Sequence, residues 1–292
     1  MTVTAELVKK LRDQTQAGMM ACKKALEETQ GNFEDAVDLL RKKGEIKAAN
    51  CATKTAAEGR IEVTISADGK RAAMVEVNCQ TDFTAREANF VAFTQELAQA
   101  TLKAGVKDAQ AALALKPSNQ HESFDAWRKE LITKIGENIQ LRRLAELECS
   151  GRVGQYCHGN RIGVLVSIEG GNEELARDIA MHIAAAKPMA LSSEQVSKAV
   201  IDKEIEIFTA QAQESGKPAA IIEKMVAGRV SKFLKEVSLV DQPFVKDPEQ
   251  TIAQLVQAHK AKIIAFERFE LGEGIEKEVT DFAAEVMAQI KQ

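Results

Sequence analysis

Apolar residues in the first fifty positions recur with the period of an α-helix. A break at residues 16–18 separates a first helix from a second. Gly31 is placed to end the second helix, and Asn32 to cap a third that Gly44 is expected to close. The pattern predicts a small three-helix domain, followed by a linker over residues 45–58.

Beyond the linker the period of apolar residues shortens to two, which is typical of β-strands. Residues 60–66 (RIEVTIS) alternate in this way, and residues 72–78 follow as a return strand. The Asp68-Gly69 pair between them is a strong signal for a two-residue hairpin turn. Helical and strand patterns then alternate, with helices expected at residues 84–103 and 122–137 and a late strand at residues 141–149.

Two local signals mark the start of the first of these helices. Thr84, followed three residues later by Glu87, fits a capping box. Phe83 directly before it would then pack on Ala88 as a hydrophobic staple. The local pattern by itself therefore favours a structural role for Phe83.

The second half of the chain repeats the order of the first. Gly159-Asn160 is the turn of a second predicted hairpin. The remaining elements of the repeat are a first strand beginning at residue 151, a return strand at residues 161–168, a helix at residues 173–186 and a late strand at residues 262–271. We therefore predict an α+β fold with a duplicated β-β-α-β core subdomain.

A larger insertion interrupts the second repeat. Its two helical segments, residues 193–213 and 219–236, are joined by a short Gly/Pro turn and predict an antiparallel helical hairpin, or coiled coil. The chain is expected to end in one more helix. The predicted domains are a three-helix domain at 1–54, core subdomains at 55–151 and at 152–190 with 240–273, the inserted hairpin at 191–239, and a C-terminal helical module at 274–292.

Composition narrows the classes of function. The chain has 292 residues, of which 45% are hydrophobic and 28% charged, with a net charge of -4. Because nucleic-acid binding needs clustered Lys and Arg, we expect no direct nucleic-acid partner. No apolar run is long enough for a membrane span, and the five scattered cysteines are typical of free thiols in a reducing compartment. These features favour a cytoplasmic protein.

Motifs of catalysis and cofactor binding are missing. The sequence has no GxxxxGK[ST] phosphate loop, no dinucleotide fingerprint and no CxxC pair. The four histidines are far apart, and none lies four residues from another, so a zinc site is not expected. We therefore predict no catalytic residue, no cofactor and no metal.

Three segments resemble the elongation factor Ts family. The first lies in residues 7–43 and contains AGMMACKKAL, the second is VEVNCQTDF at residues 75–83, and the third comprises stretches of the second half such as YCHGNRIGVLV and FERFELGEGIEK. Gln16, Ala21 and Thr84 depart from the residues that the family commonly has. The resemblance spans nearly the whole chain in the same order, and it implies that the three-helix domain is ubiquitin-associated-like.

The resemblance also implies a partner and the residues that contact it. The family exchanges guanine nucleotide on elongation factor Tu, and its Asp-Phe pair, here Asp82 and Phe83 after Thr81, wedges near the GTPase magnesium site. Further positions implied to contact elongation factor Tu are Arg12, Met19, Met20 and His158. Because adjacent helical positions point about 100° apart, Met19 and Met20 are not both expected to be buried.

The resulting hypothesis is an exchange factor in translation elongation that binds elongation factor Tu in its GDP-bound and nucleotide-free states. A 1:1 heterodimer is expected, with a higher assembly left open. The alternative is a protein-binding scaffold of ubiquitin-associated type without exchange activity. That alternative leaves the Thr81-Asp82-Phe83 segment and the duplicated core unexplained.

Overall fold

The computed structural model describes residues 3–15, 17–214 and 218–276. The chain divides into two compact units. One takes in the chain up to residue 62, residues 75–144 and the segment from residue 270, and the other takes in residues 63–74 and 145–269. Helices and strands are both abundant, which confirms the α+β class. Within the described ranges no helix is long and apolar enough to cross a membrane.

The chain begins with three helices: α1 (Ala5–Thr15), α2 (Met19–Glu28) and α3 (Phe33–Cys51). Asn32 caps α3 as predicted, because its side chain accepts hydrogen bonds from the backbone N–H groups of Glu34 and Asp35. These helices enclose an apolar cluster of their own, formed by Val8, Leu11, Ala17, Cys22, Ala25, Leu26 and Ala36.

The first sheet and its helices follow. Strands β1 (Glu58–Ile65) and β2 (Arg71–Cys79) are adjacent, and β3 (Gln140–Glu148) lies beside β2, so the order in the sheet is β1-β2-β3. Four helices connect β2 to β3: α4 (Asp82–Arg86), α5 (Ala88–Ala104), α6 (Ala109–Ala114) and α7 (Phe124–Ile135). Helix α6 was not predicted.

The second sheet has the strand order β4-β5-β8. Strands β4 (Arg152–His158) and β5 (Ile162–Glu169) pair antiparallel, and β8 (Lys262–Glu270) lies beside β5. Helix α8 (Glu173–Ala186) follows β5 at the predicted position, with Asn172 as its cap. Between α8 and β8 lie α9 (Lys198–Gln213), α10 (Ala219–Val237), the short strands β6 (Pro243–Phe244) and β7 (Asp247–Thr251), and α11 (Ile252–Ala258).

The predicted linker at residues 45–58 is wrong in its first half, because α3 passes through Gly44 and ends at Cys51. Gly44 permits close packing, since a Cβ atom there would lie 3.0 Å from the side-chain oxygen of Thr133 on α7. Ala48 and Cys51 are buried in the apolar cluster that α5 and α7 also enter. Tertiary packing thus continues a helix that the local sequence would end.

Helix α9 begins later than predicted. Residues Ser193–Gln195 form a separate 3-10 turn, and Ser197 caps α9 by accepting a hydrogen bond from the Val200 N–H. Helices α9 and α10 pack against each other. The predicted C-terminal module lies outside the described residues from residue 277 onward.

A buried carboxylate ties the chain after β8 to the first sheet. Glu76 on β2 is fully buried, and its oxygens lie 3.0 Å from Arg142 Nη1 and 2.6 Å from Arg143 Nε on β3. The Gly272 N–H donates to the same carboxylate at 3.0 Å. Burial raises the pKa of Glu76, but these donors outweigh burial, so that the pKa lies below its usual value.

Candidate functional site

The Thr81-Asp82-Phe83 segment begins helix α4, which has only five residues. Thr81 is its N-cap, and the Thr81 hydroxyl oxygen accepts a hydrogen bond from the Thr84 N–H at 3.3 Å. Asp82 and Phe83 are therefore the first two residues of the helix. So short a helix is not stable in isolation, and its shape depends on the contacts at its two ends.

Glu137, which follows α7, holds the N-terminal end of this segment. One carboxylate oxygen accepts from the backbone N–H groups of Gln80 at 3.1 Å and Thr81 at 3.0 Å. The other accepts from the Thr81 hydroxyl at 2.6 Å. Sequence reasoning missed Glu137, because it lies more than fifty residues away from Thr81 and belongs to no local motif.

The C-terminal end of α4 is held by the start of the next helix. Glu87 caps α5 by accepting from the backbone N–H groups of Asn89 at 2.9 Å and Phe90 at 3.1 Å. Thr84 and Ala85 are buried, whereas the Phe83 side chain is 80% exposed. The segment thus faces the core with one side and presents a large apolar ring to solvent with the other.

This geometry corrects the local prediction for the same segment. Thr84 does not cap a helix, since Thr81 caps α4 and Glu87 is itself the cap of α5. Phe83 is exposed and therefore does not act as a staple on Ala88. The predicted single helix is divided at Glu87, whose backbone is extended (φ -67°, ψ 134°).

Asp82 is partly exposed beside Phe83. Its carboxylate lies 3.0 Å from Arg86 Nη2, one helical turn further along α4. Ion pairs of this exposed kind contribute little stability. The arrangement orients Asp82 along α4 and leaves it accessible at the tip of the segment.

Met19 and Met20 begin helix α2, and both are exposed, at 53% and 64%. The expectation that they are not both buried is confirmed. Gly18 precedes them as the N-cap but offers no side chain to the first turn of the helix. Arg12 lies exposed in the last turn of α1.

His158 ends strand β4 in the second unit. Gly159 (φ 55°) and Asn160 (φ 57°) lie in the left-handed region, and together with Arg161 they connect His158 to its strand partner Ile162. The His158 Nδ1 atom lies 3.3 Å from the Tyr156 hydroxyl, and the side chain is exposed. The structure thus presents His158 at the tip of a β-hairpin.

Two further residues with potentially reactive side chains, Cys79 and His182, are structural. Burial raises the pKa of the Cys79 thiol to about 12, so this cysteine beside Thr81 is not a nucleophile at neutral pH. His182 is buried, with Nε2 3.0 Å from the side-chain oxygen of Gln242. Among the described residues, no group of His, Cys, Asp and Glu is arranged to hold a metal ion.

Comparison with known proteins gives a consistent result. A family model described as Elongation factor TS matches residues 80–273, a range that includes the Asp82-Phe83 tip and His158. A protein named Elongation factor Ts from Coxiella burnetii (strain Dugway 5J108-111) is 55% identical over 291 residues, which cover 99% of this chain and 98% of the relative. Proteins of the same name are 53% identical in Thioalkalivibrio sulfidiphilus (strain HL-EbGR7), covering 100% of this chain and 99% of that protein, and in Methylococcus capsulatus (strain Bath), with the same coverage.

Proposed function

The chain belongs to the elongation factor Ts family, and we propose that it opens the nucleotide site of elongation factor Tu by inserting Phe83, with Asp82 beside it. Family membership makes the chain a guanine nucleotide exchange factor in translation elongation and not an enzyme. The observation that carries the proposed wedge is the 80% exposure of Phe83. A ring displayed in this way on an anchored backbone is suited to enter a partner.

The target of the wedge follows from how a GTPase holds GDP. Backbone N–H groups of its phosphate loop and a helix N-terminus bind the phosphates, and Mg²⁺ bridges them. These groups hold GDP tightly only when the backbone of the site keeps one particular arrangement. Insertion of Phe83 would displace a helix that helps to hold the Mg²⁺ ligands, and GDP would then dissociate faster.

One inserted ring supplies too little free energy by itself. Burying a Phe side chain contributes about 1.5–3 kcal/mol, whereas a shift of about 10⁴ in nucleotide affinity requires about 5.5 kcal/mol. Further contacts must supply the difference. We assign them to Arg12, Met19 and Met20 in the three-helix domain and to His158 on the second sheet.

Linkage makes the exchange a cycle. If this protein weakens the binding of GDP, GDP weakens the binding of this protein by the same factor. The partner is therefore bound in its GDP-bound and nucleotide-free states, and an incoming nucleotide helps to release the factor. We propose a 1:1 heterodimer in the cytoplasm, with no direct contact to nucleic acid or membrane.

The finer architecture is part of the proposal. A ubiquitin-associated-like domain at 1–54 is supported by its separate apolar cluster, and a duplicated core by the equivalent strand orders β1-β2-β3 and β4-β5-β8. The proposed domains beyond the first are core subdomains at 55–151 and at 152–190 with 240–273, an inserted hairpin at 191–239, and a C-terminal module at 274–292.

The alternative of a ubiquitin-associated-type scaffold is not supported. Such a scaffold would resemble known proteins mainly in its first domain, whereas the family match lies at residues 80–273. The relatives are, in addition, similar over nearly the whole chain.

The experiment measures release of a fluorescent GDP analogue from purified elongation factor Tu in the presence of excess GDP. Wild-type protein is expected to accelerate release by orders of magnitude, and Phe83→Ala to lose most of this acceleration. Ile221→Ala, which removes an exposed apolar side chain from α10, is the matched control and should behave as wild type. Unchanged release by a folded Phe83→Ala variant would contradict the wedge, and tight binding without faster release would instead indicate a sequestering role.

A further inference from the structure

The backbone that leads into the exposed Phe83 ring is bound by a single distant side chain. Glu137 accepts hydrogen bonds from the Gln80 and Thr81 N–H groups and from the Thr81 hydroxyl. Hydrogen bonds to a charged acceptor are roughly twice as strong as neutral ones. The three bonds therefore fix the position and direction of the chain just before Asp82.

The Thr81 hydroxyl transmits this constraint into α4. It donates to one Glu137 oxygen and accepts from the Thr84 N–H, so the same oxygen atom joins the carboxylate to the first turn of the helix. Phe83 belongs to that turn. Without Glu137 the cap would remain, but the turn would lose the three hydrogen bonds that hold its N-terminal end.

Glu137 is itself held in place by its neighbours. Gly136 ends α7 in the left-handed conformation (φ 88°), which turns the chain out of the helix. Asn138 then donates its N–H to the Gln80 side-chain oxygen at 3.0 Å and its side-chain amide to the Lys54 carbonyl at 2.8 Å. Glu137 and the Gln80-Thr81 segment are thus bound to each other from both directions.

We propose that Glu137 is a positioning residue for nucleotide exchange, which acts by holding the Thr81 turn so that Phe83 projects in the conformation that enters the partner. The proposal rests on the function proposed above. If the turn samples several conformations, only the competent fraction can act, and the rate of release falls with that fraction. Binding through surfaces far from Phe83 would change little.

The test is a double-mutant cycle between Glu137 and Phe83, measured as the maximal rate of release of a fluorescent GDP analogue from elongation factor Tu. Glu137→Ala is expected to lower this rate by roughly tenfold, the loss that follows from removing charge-assisted hydrogen bonds. In a Phe83→Ala background the same change should lower it by less than about twofold, because its effect passes through Phe83. Glu174→Ala removes an exposed acidic side chain of α8 and serves as the matched control.

Conservative variants separate positioning from general destabilisation. In Glu137→Gln the side-chain oxygen can still accept from both N–H groups, and release should stay within about threefold of wild type. Glu137→Asp keeps the charge but shortens the side chain, so it should be slow while remaining folded. If Glu137→Ala does not fold, Glu137→Asp takes its place in the double-mutant cycle. In Glu137→Asp the Thr84 amide should exchange hydrogen faster than in wild type.

The outcomes distinguish the two proposals. A slow Phe83→Ala variant together with wild-type release by folded Glu137→Ala and Glu137→Asp would overturn the role of Glu137 alone. Equal losses from the Glu137 change in both backgrounds would also overturn it, because the effect would not pass through Phe83. If Phe83→Ala released GDP at the wild-type rate, the proposed insertion of Phe83 would be refuted. The positioning role of Glu137 depends on that insertion and would be refuted with it.

Discussion

Two exposed apolar sites in the first unit differ in how their backbone is held. Phe83 lies on a turn that is capped by Thr81 and bound by Glu137. Met19 and Met20 begin a helix whose N-cap, Gly18, has no side chain to bind the first turn. The Phe ring is stiff, whereas Met has three rotatable side-chain bonds and adapts to a surface.

The difference suggests a division of labour within one interaction. A side chain that must displace part of a partner has to resist being pushed back, so it requires an anchored backbone. A side chain that only adds contact area can adapt. We therefore expect Phe83 to determine the rate of exchange and Met19 with Met20 to determine affinity. Four experiments test this difference between the two sites.

The largest effect is expected when the maximal rate of GDP release and the half-saturating concentration of this protein are measured separately for each variant. Phe83→Ala should lower the maximal rate of GDP release about 10- to 100-fold, the equivalent of one buried Phe, and change the half-saturating concentration little. The double variant Met19→Ala/Met20→Ala should raise that concentration and keep the maximal rate. Titrating each variant against labelled elongation factor Tu measures both quantities, and identical patterns for the two variants would remove the distinction.

The second experiment measures how the free energy of unfolding depends on pH. It concerns a cleft next to the start of α2, the helix that Met19 and Met20 begin. Glu130 lies in a cleft of about 720 Å³, whose lining includes Thr15 and Ala17 just before α2. Burial raises the pKa of Glu130 to about 7, although Lys134 lowers it, and His121 Nδ1 lies 3.5 Å from its carboxylate. Other charged residues that line the cleft are Arg41, Glu122, Asp125, Lys129 and Lys134.

The sign of this effect follows from proton binding. The folded state keeps the Glu130 proton up to a pH of about 7, whereas an unperturbed Glu has a pKa of 4.5. The free energy of unfolding should therefore fall as pH rises from about 4.5 to about 7, by about 1–3 kcal/mol for a group that is mostly shielded from water. Urea denaturation of wild type and Glu130→Gln across this interval checks it, since the variant should lack this part of the decline. Parallel curves for the two proteins would contradict the prediction.

The third effect concerns the anchor of Phe83. Thr81→Ala removes both the cap of α4 and the hydroxyl that donates to Glu137, so the free energy of unfolding should fall by about 1 kcal/mol. The maximal rate of GDP release should fall with it, whereas Thr81→Ser should retain both properties. Urea denaturation and stopped-flow release measure the two quantities. A stable Thr81→Ala variant with wild-type release would mean that the anchor is not needed.

The smallest effect is expected from adding a cap at the methionine site. A Cβ atom on Gly18 would meet nothing within 4 Å, and its backbone (φ -61°, ψ 143°) suits any residue. Gly18→Ser should therefore stabilise the protein by a few tenths of a kcal/mol. If Met19 and Met20 contribute by adapting to the partner, Gly18→Ser should bind elongation factor Tu no more tightly than wild type does in a titration. A clear increase would instead show that this site also benefits from a fixed backbone.

Much of the fold could be predicted from local signals. Asn32 caps the helix that it was expected to cap, α8 begins at the predicted residue, and Gly159 and Asn160 lie in the turn between β4 and β5 as expected. These features depend on hydrogen bonds and backbone preferences within a few residues, which the sequence displays directly. The candidate site residues came instead from the resemblance, because an exposed Phe has no local signature.

Local signals were enough to place most of the helices and the paired strands β1-β2 and β4-β5, and the three matching segments were enough to indicate the family. Where local signals competed, contacts between residues far apart in the sequence selected one of them. Thr81 caps α4 in place of Thr84, and α3 continues through Gly44, because Glu137 and Thr133, each more than fifty residues away, bind or pack there. A local pattern specifies which bonds a residue can form, but only the folded chain brings together the distant groups that decide which of them it does form.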